Sequence, residues 1–338
     1  VSRIGVVLSN LGGPDGPAAV RPFLYNLFSD PAIVVAPTFV RLPLAAFVSW
    51  TRKKSAIANY AVMGGGSPIV RETAAQVEAL TACLRLRRPA DDIEVFMAMR
   101  YWHPRAAEVA RAVRAFAPDE VVLAPLYPQY STTTTASSHA EWRKHYAGPC
   151  REICCWFANP GLIEAHAQRI ERIWIDAGRP KVRLLFSAHG LPERISESGD
   201  PYRWQIEQTC AAIARRLGDE WDWMLCFQSR VGPLKWIGPS TPEAIEAAAR
   251  DGVGILIDPV AFVSEHVETL VELDQDYEEM ARGLGVTTYL RAPTVGVTPA
   301  FIDGLADAVE RALSRPGVGA DGPTCPADAS RCGRLVSA

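Results

Sequence analysis

Short apolar runs rich in β-branched residues alternate along the chain with longer segments whose apolar positions recur every three or four residues. Residues 4–10 (IGVVLSN), 93–99, 121–128, 182–190 (VRLLFSAHG), 223–229, 254–260 and 286–293 are of the first kind. Their near-continuous hydrophobicity predicts parallel strands buried on both faces. Residues 70–86, 105–116, 161–177, 201–217, 241–250 and 265–283 are of the second kind and predict amphipathic helices. Strand–helix alternation throughout implies a doubly wound α/β architecture. The segment near 140–160 separates two similar sets of strands. We therefore expect one unit over 1–150, a second over 151–314, and a cysteine-containing tail with little regular structure over 315–338.

In open α/β sheets ligands bind beyond the carboxyl ends of the strands. That rule singles out NLGGPD (10–15), RYWHP (100–104), YPQYSTTTT (127–135), SAHGLPER (187–194), QSRVGPLKWIGP (228–239) and DPVAFVSEH (258–266). His189 and His266 stand at two of these strand ends, where a neutral imidazole can accept a proton or ligate a transition metal. MGGGSP (63–68) lacks the Lys-Ser/Thr that grips phosphate, which disfavours a nucleotide enzyme. After the last loop comes VSEHVETLVELDQDYEEM (263–280), with Glu268, Glu272 and Asp276 four residues apart. On a helix they form a column of carboxylates, a like-charge arrangement that destabilises an isolated helix. A regular α-helix separates His266 from Glu268 by about 200°. The two can share a cavity only if the helix is locally widened or the histidine precedes it.

Composition narrows the classes. At 48% hydrophobic and 22% charged residues the chain reads as globular, and a net charge of −3 offers no footprint for nucleic acid. The most apolar stretch, IVVAPTFVRLPLAAFVSW (33–50), is broken by Pro37, Arg41 and Pro43 and is too interrupted to span a membrane. It is either core, a packed lid, or an apolar lip that takes up a greasy ligand at a membrane surface. Cys83, Cys210 and Cys226 sit in apolar patterns as small hydrophobes. Cys150, Cys154, Cys155, Cys325 and Cys332 lie outside them and suggest a metal or iron–sulfur site in a cytoplasmic chain rather than a disulfide scaffold.

Taken in order, NLGGPD, MGGGSPI, RYWHP, YPQYSTTTTASS, FSAHGLPERISESGDPY, FQSRVGPLKWIGPST and PVAFVSEHVETLVELDQDY resemble bacterial ferrochelatase, from about residue 4 to residue 310. The resemblance implies insertion of Fe²⁺ into protoporphyrin IX with release of two protons, the step that forms haem. It also implies a chelatase-like fold of two Rossmann-like halves, each with a four-stranded parallel sheet, around a porphyrin cleft. By motif, His189 matches the family's essential histidine and Glu268 the glutamate facing it across the macrocycle, the two being the expected iron contacts. His266, Glu272 and Asp276 match a polar path on a helix that is π-like in the family. Leu11, Tyr60, Trp236 and Phe262 match residues packed on the macrocycle, where they could distort it. Arg52, Ser67 and Arg100 match propionate partners, with Tyr101 and Tyr127 beside them. Some members hold a [2Fe–2S] cluster through one cysteine in the YPQYS block and three near the C-terminus. Here Thr132 follows Ser131 and the tail offers Cys325 and Cys332, so Cys150, Cys154 and Cys155 are candidates for the remaining ligands. The expected partners are protoporphyrin IX and ferrous iron, with no nucleic acid. A peripheral contact with the inner membrane through 33–50 is a further expectation, and the oligomeric state is open. The alternatives are a chelatase for another tetrapyrrole such as coproporphyrin III, and a non-catalytic porphyrin or haem carrier on the same fold.

Overall fold

The computed structural model describes residues 1–230, 232–315, 318–320 and 324–336. The first half of the chain runs β1 (Arg3–Asn10), α1 (Val20–Phe28), α2 (Thr38–Thr51), α3 (Lys53–Val62), α4 (Ile69–Arg87), β2 (Asp92–Met99), α5 (Ala106–Phe116), β3 (Glu120–Pro125), α6 (Thr135–Arg143) and β4 (Cys150–Cys155). There follow α7 (Pro160–Asp176), β5 (Val182–His189), α8 (Glu193–Glu197), α9 (Tyr202–Leu217), β6 (Trp223–Gln228), α10 (Thr241–Arg250) and β7 (Gly254–Asp258). A π-helix (Glu268–Asp276) continues directly into α11 (Tyr277–Gly283), and β8 (Tyr289–Arg291), α12 (Pro299–Ser314), β9 (Val318–Ala320) and α13 (Gly333–Val336) complete the described chain.

The strands form two all-parallel sheets, ordered β2-β1-β3-β4-β9 and β6-β5-β7-β8. Their period of two explains the apolar runs. In β1, Val6 and Leu8 join the core on one face of the first sheet, and Val7 joins a separate core on the other. In β5, Leu184, Phe186 and Ala188 face one core of the second sheet and Leu185 faces another. A strand buried on both faces has no polar side, which is why these segments show no alternation.

Three expectations change. The first sheet has five strands instead of four, because β4 carries β9 on its outer edge. The tail is therefore not loose throughout: Val318–Ala320 is a strand, and Cys325, Ala329 and Cys332 are buried. A division at 150/151 would cut the first sheet, since β4 pairs with β3 through Cys150, Arg151 and Glu152. Nor does the second unit extend to 314. Phe301, Ile302, Leu305 and Val309 of α12 cover Val6, Leu8 and Val122 in the core of the first sheet. The crossing of α12 with α7 is glycine-dependent. A Cβ on Gly161 would meet the Ala300 carbonyl oxygen at 2.2 Å and the Gly304 Cα at 2.7 Å.

The apolar stretch 33–50 is neither core nor packed lid. Within α2 only Ala45 and Ser49 are buried, and Phe39, Phe47 and Trp50 stand in solvent. Among the described residues no helix is long and apolar enough to cross a membrane.

Candidate active site

His189 ends β5, and the chain turns there because the next residue can be approached closely. A Cβ on Gly190 would sit 3.0 Å from the Gln228 carbonyl oxygen and 3.1 Å from the Trp236 ring. The Trp236 and His189 rings stand nearly perpendicular with centroids 6.4 Å apart. Tyr202, the first residue of α9, donates its hydroxyl to the His189 carbonyl at 3.0 Å, so the histidine backbone is braced from a second element. His189 Nδ1 lies 2.9 Å from Glu268 Oε2.

That contact sets His189 and Glu268 side by side. The pair is also electrostatically committed. Burial by itself would raise the Glu268 carboxyl, but His189 and His266 outweigh it and hold the group well below the usual carboxylate range. Burial likewise pulls His189 down, but the Glu268 charge, the hydrogen bond to it and the Glu272 charge leave its pKa above the ordinary histidine value.

The column of carboxylates is built on a π-helix, and His266 precedes it. His266 Nδ1 lies 3.1 Å from the Ser264 carbonyl oxygen, which can only accept, so Nδ1 carries the proton and Nε2 turns to Glu268 Oε2 at 3.9 Å. Phe262 lies against the same imidazole, with centroids 4.6 Å apart. The widened helix lets Glu268 and Glu272 face the same loop. Ser229 donates its backbone N–H to Glu272 at 2.9 Å and its hydroxyl at 2.5 Å, and that hydroxyl is also 3.2 Å from Glu268 Oε2. Gln228 Nε2 donates to Glu272 at 3.2 Å and to the Glu268 carbonyl at 3.0 Å, and the Tyr277 hydroxyl donates to Glu272 at 2.7 Å. These donors offset the like-charge repulsion along the helix. Asp276, the last of the three carboxylates, is exposed. Ser229 adopts φ 64°, a left-handed conformation that is strained for a residue other than Gly and clusters at functional sites.

The remaining candidates divide. Tyr60 is buried close enough to Glu268 that burial first, and then the carboxylate charge, push its hydroxyl pKa up. Leu11, Ser67 and Tyr127 are half-buried at strand ends or loops, and Arg52 is exposed between α2 and α3. Arg100 is already engaged. It donates to Asp30 Oδ2 at 2.7 Å and to Ser137 Oγ at 2.8 Å, and the same Asp30 oxygen accepts from the Tyr101 hydroxyl at 2.7 Å. Asp30 is buried, so a propionate would have to compete with an internal ion pair. Asp30, Ser229 and Gln228 were not singled out by the sequence. The signal for the last two was their place at the end of β6, in the segment 228–239 that the strand-end rule marks.

A second constellation lies away from the cleft. Cys154, Cys155, Cys325 and Cys332 share one buried cluster with Tyr130 and Phe157. Cys325 Sγ and Cys332 Sγ are 3.5 Å apart, and Cys154 is hydrogen-bonded to both Cys155 and Cys332, contacts that push its thiol far up. Cys150, at the other end of β4, packs in a different core and does not join them. Thr132 turns to Asp200, whose Oδ2 accepts from its hydroxyl at 2.7 Å. Among the described residues no three His, Cys, Asp or Glu side chains are set for a single metal ion. Four thiols gathered in one buried cluster match in number the Cys₄ requirement of a two-iron cluster. Gln205, which the sequence reading passed over, reaches this group from α9. It lies on the buried stripe Tyr202–Gln205–Ile206–Thr209–Cys210–Ile213, and a polar residue in such a stripe was the available signal.

A sequence model of the ferrochelatase family matches residues 3–313. The chain is 55% identical over 334 residues to a ferrochelatase of Phenylobacterium zucineum (strain HLK1), covering 98% of this chain and 97% of the relative. It is 56% identical over 336 residues to that of Caulobacter vibrioides, with coverage of 98% and 97%. Among solved structures, SirB from Bacillus subtilis with Fe³⁺ aligns at a TM-score of 0.56 with 11% identity, over 92% of this chain and 96% of that one. CbiX, the terminal enzyme of sirohaem biosynthesis in denitrifying bacteria, aligns at 0.51 with 18% identity, over 92% and 99%. At such identities these two likenesses concern the fold, which is that of chelatases.

Proposed function

Because the chain belongs to the ferrochelatase family, it inserts Fe²⁺ into protoporphyrin IX to form haem, and we propose that the His189–Glu268 pair takes up the protons this releases. The contact of 2.9 Å between His189 Nδ1 and the ionised Glu268 carries the proposal. A carboxylate only accepts, so Nδ1 holds a proton and Nε2 is left as the basic nitrogen toward the cleft. As Fe²⁺ binds the ring nitrogens, each of two pyrrole N–H bonds breaks and its electron pair stays on nitrogen. Nε2 takes the first proton, Glu268 stabilises the imidazolium that forms, and once that proton has left for water Nε2 takes the second. Glu268, Glu272 and Asp276, with Ser229 and Gln228 holding the first two, then offer the protons a route to water. His189 and Glu268 are also the proposed transient iron contacts, an N/O set that can release the ion to the macrocycle. Leu11, Tyr60, Trp236 and Phe262 are the proposed apolar contacts of the ring, and Arg52, Ser67, Arg100, Tyr101 and Tyr127 its polar rim.

The test is anaerobic mixing of the purified protein with Fe²⁺ and an excess of protoporphyrin IX. Repeated turnover, read from the Soret shift of the whole porphyrin pool, is expected. A change limited to one equivalent per chain would leave a carrier. Faster turnover of coproporphyrin III in the same assay would replace the substrate.

Two finer proposals stand beside it. The exposed Phe39, Phe47 and Trp50 of α2, followed by Arg52, Lys53 and Lys54, suit the boundary between acyl chains and anionic headgroups. The protein is thus proposed to work at the cytoplasmic face of a membrane. Cosedimentation with anionic vesicles should fall at least tenfold when the three aromatics become Ser, and unchanged binding would refute the contact. The second proposal is that Cys154, Cys155, Cys325 and Cys332 hold a [2Fe–2S] cluster. When bound, such a cluster supplies a one-electron redox couple and ties β4 to the 325–332 loop.

A further inference from the structure

Gln205 is fully buried in α9, where a polar side chain needs partners for each of its groups. Its Oε1 accepts from the Tyr130 backbone N–H at 2.7 Å. That bond fixes which way round the amide sits, because a backbone N–H cannot face the NH₂ end. The two N–H donors of Nε2 are thereby turned toward the cysteines, at 3.2 Å from Cys325 Sγ and 3.5 Å from Cys155 Sγ. A neutral thiol is a weak acceptor, and a buried donor left to thiols keeps much of its desolvation cost. Against metal-bound thiolates the same two donors make charge-assisted bonds. The amide is thus complementary to sulfurs that carry negative charge, and it joins one from β4 to one from the 325–332 loop.

Resting on the cluster proposed above, we infer that Gln205 sets the reduction potential of that cluster by donating to the sulfurs of Cys155 and Cys325. Hydrogen bonds to ligand sulfur favour the more electron-rich, reduced state and so raise the potential. The buried Thr209 of the same helix donates instead to the Phe157 carbonyl at 2.8 Å.

The experiment is an anaerobic redox titration of the full chain, of Gln205→Leu and of Gln205→Glu, followed by visible absorbance and by electron paramagnetic resonance of the reduced state. Gln205→Leu removes both donors and should lower the one-electron equilibrium constant for reduction by about tenfold, equivalent to about 59 mV. Gln205→Glu keeps an acceptor for the Tyr130 N–H and replaces the donors with a group that repels thiolate, so its potential should fall further. This second variant carries the comparison if the leucine chain fails to hold iron. Cluster-loaded variants that titrate within threefold of the parent would overturn the role of Gln205 and leave the cluster standing. A parent chain purified anaerobically without visible absorbance, and without about two irons and two sulfides per chain, would overturn both.

Discussion

Replacing His189 with Ala should lower kcat for iron insertion by about 10²–10⁴-fold, the range associated with a positioned general base. The substitution removes the proposed base together with its contact to Glu268, and leaves the surroundings braced. Tyr202 bonds the backbone carbonyl of residue 189, which Ala retains. Glu268 keeps its neighbours Ser229 and His266. Protoporphyrin affinity, followed by quenching of porphyrin fluorescence, should therefore change by less than tenfold while turnover collapses. A kcat within threefold of the parent would remove His189 from the chemistry. Equal losses in affinity and turnover would make it a binding residue.

Glu268→Gln is the complementary change, and its sign can be worked out. In the parent, burial lowers the His189 pKa, and the Glu268 charge and hydrogen bond more than restore it. Gln keeps the shape and removes the charge, so burial is no longer outweighed and the pKa falls. Since the base must be neutral to accept a proton, the acid limb of the rate–pH profile should move to lower pH in the variant. Its plateau should drop by about 10²-fold through loss of imidazolium stabilisation. The pair also makes a stability claim. His189, with a raised folded-state pKa, stabilises fully below 6.5 and loses that contribution as pH rises through the raised value. Glu268, with a lowered one, stabilises above 4.5 and loses that contribution as pH falls through the lowered value. The Tm difference between parent and variant should therefore be largest between pH 4.5 and 6.5 and shrink on either side. An acid limb that stays in place, or moves to higher pH, would contradict the pairing.

Much of this was written plainly in the chain. Strands such as Val182–His189 announce themselves because both faces are buried and the run Leu184–Leu185–Phe186 shows no alternation. β4 was missed because CREICC carries Arg151 and Glu152, which pair outward with Glu120 and with Arg143. β9 is three residues long and contains a glycine, too little for any periodicity to register. At the site, chain position marked His189 and the carboxylates as candidates, and of the two ways left open for His266 and Glu268 to meet, a widened helix or a histidine that precedes it, the structure has both. That His189 and Glu268 touch is a matter of tertiary distance, and sequence order holds no record of it. The same is true of Arg100. Its partner Asp30 lies 70 residues away, in a segment with no pattern that points to it.

The return of α12 and β9 to the first sheet also sets a timetable for the chain's own manufacture. A ribosome delivers Val6, Leu8 and Val122 long before Phe301, Leu305 and Val309, the residues that cover them. Until then one face of the nascent sheet, and the edge of β4 that β9 occupies, stay open to other chains. The half that is made first is therefore finished last. Cys154 and Cys155 likewise meet Cys325 and Cys332 only in a chain whose synthesis has passed residue 332.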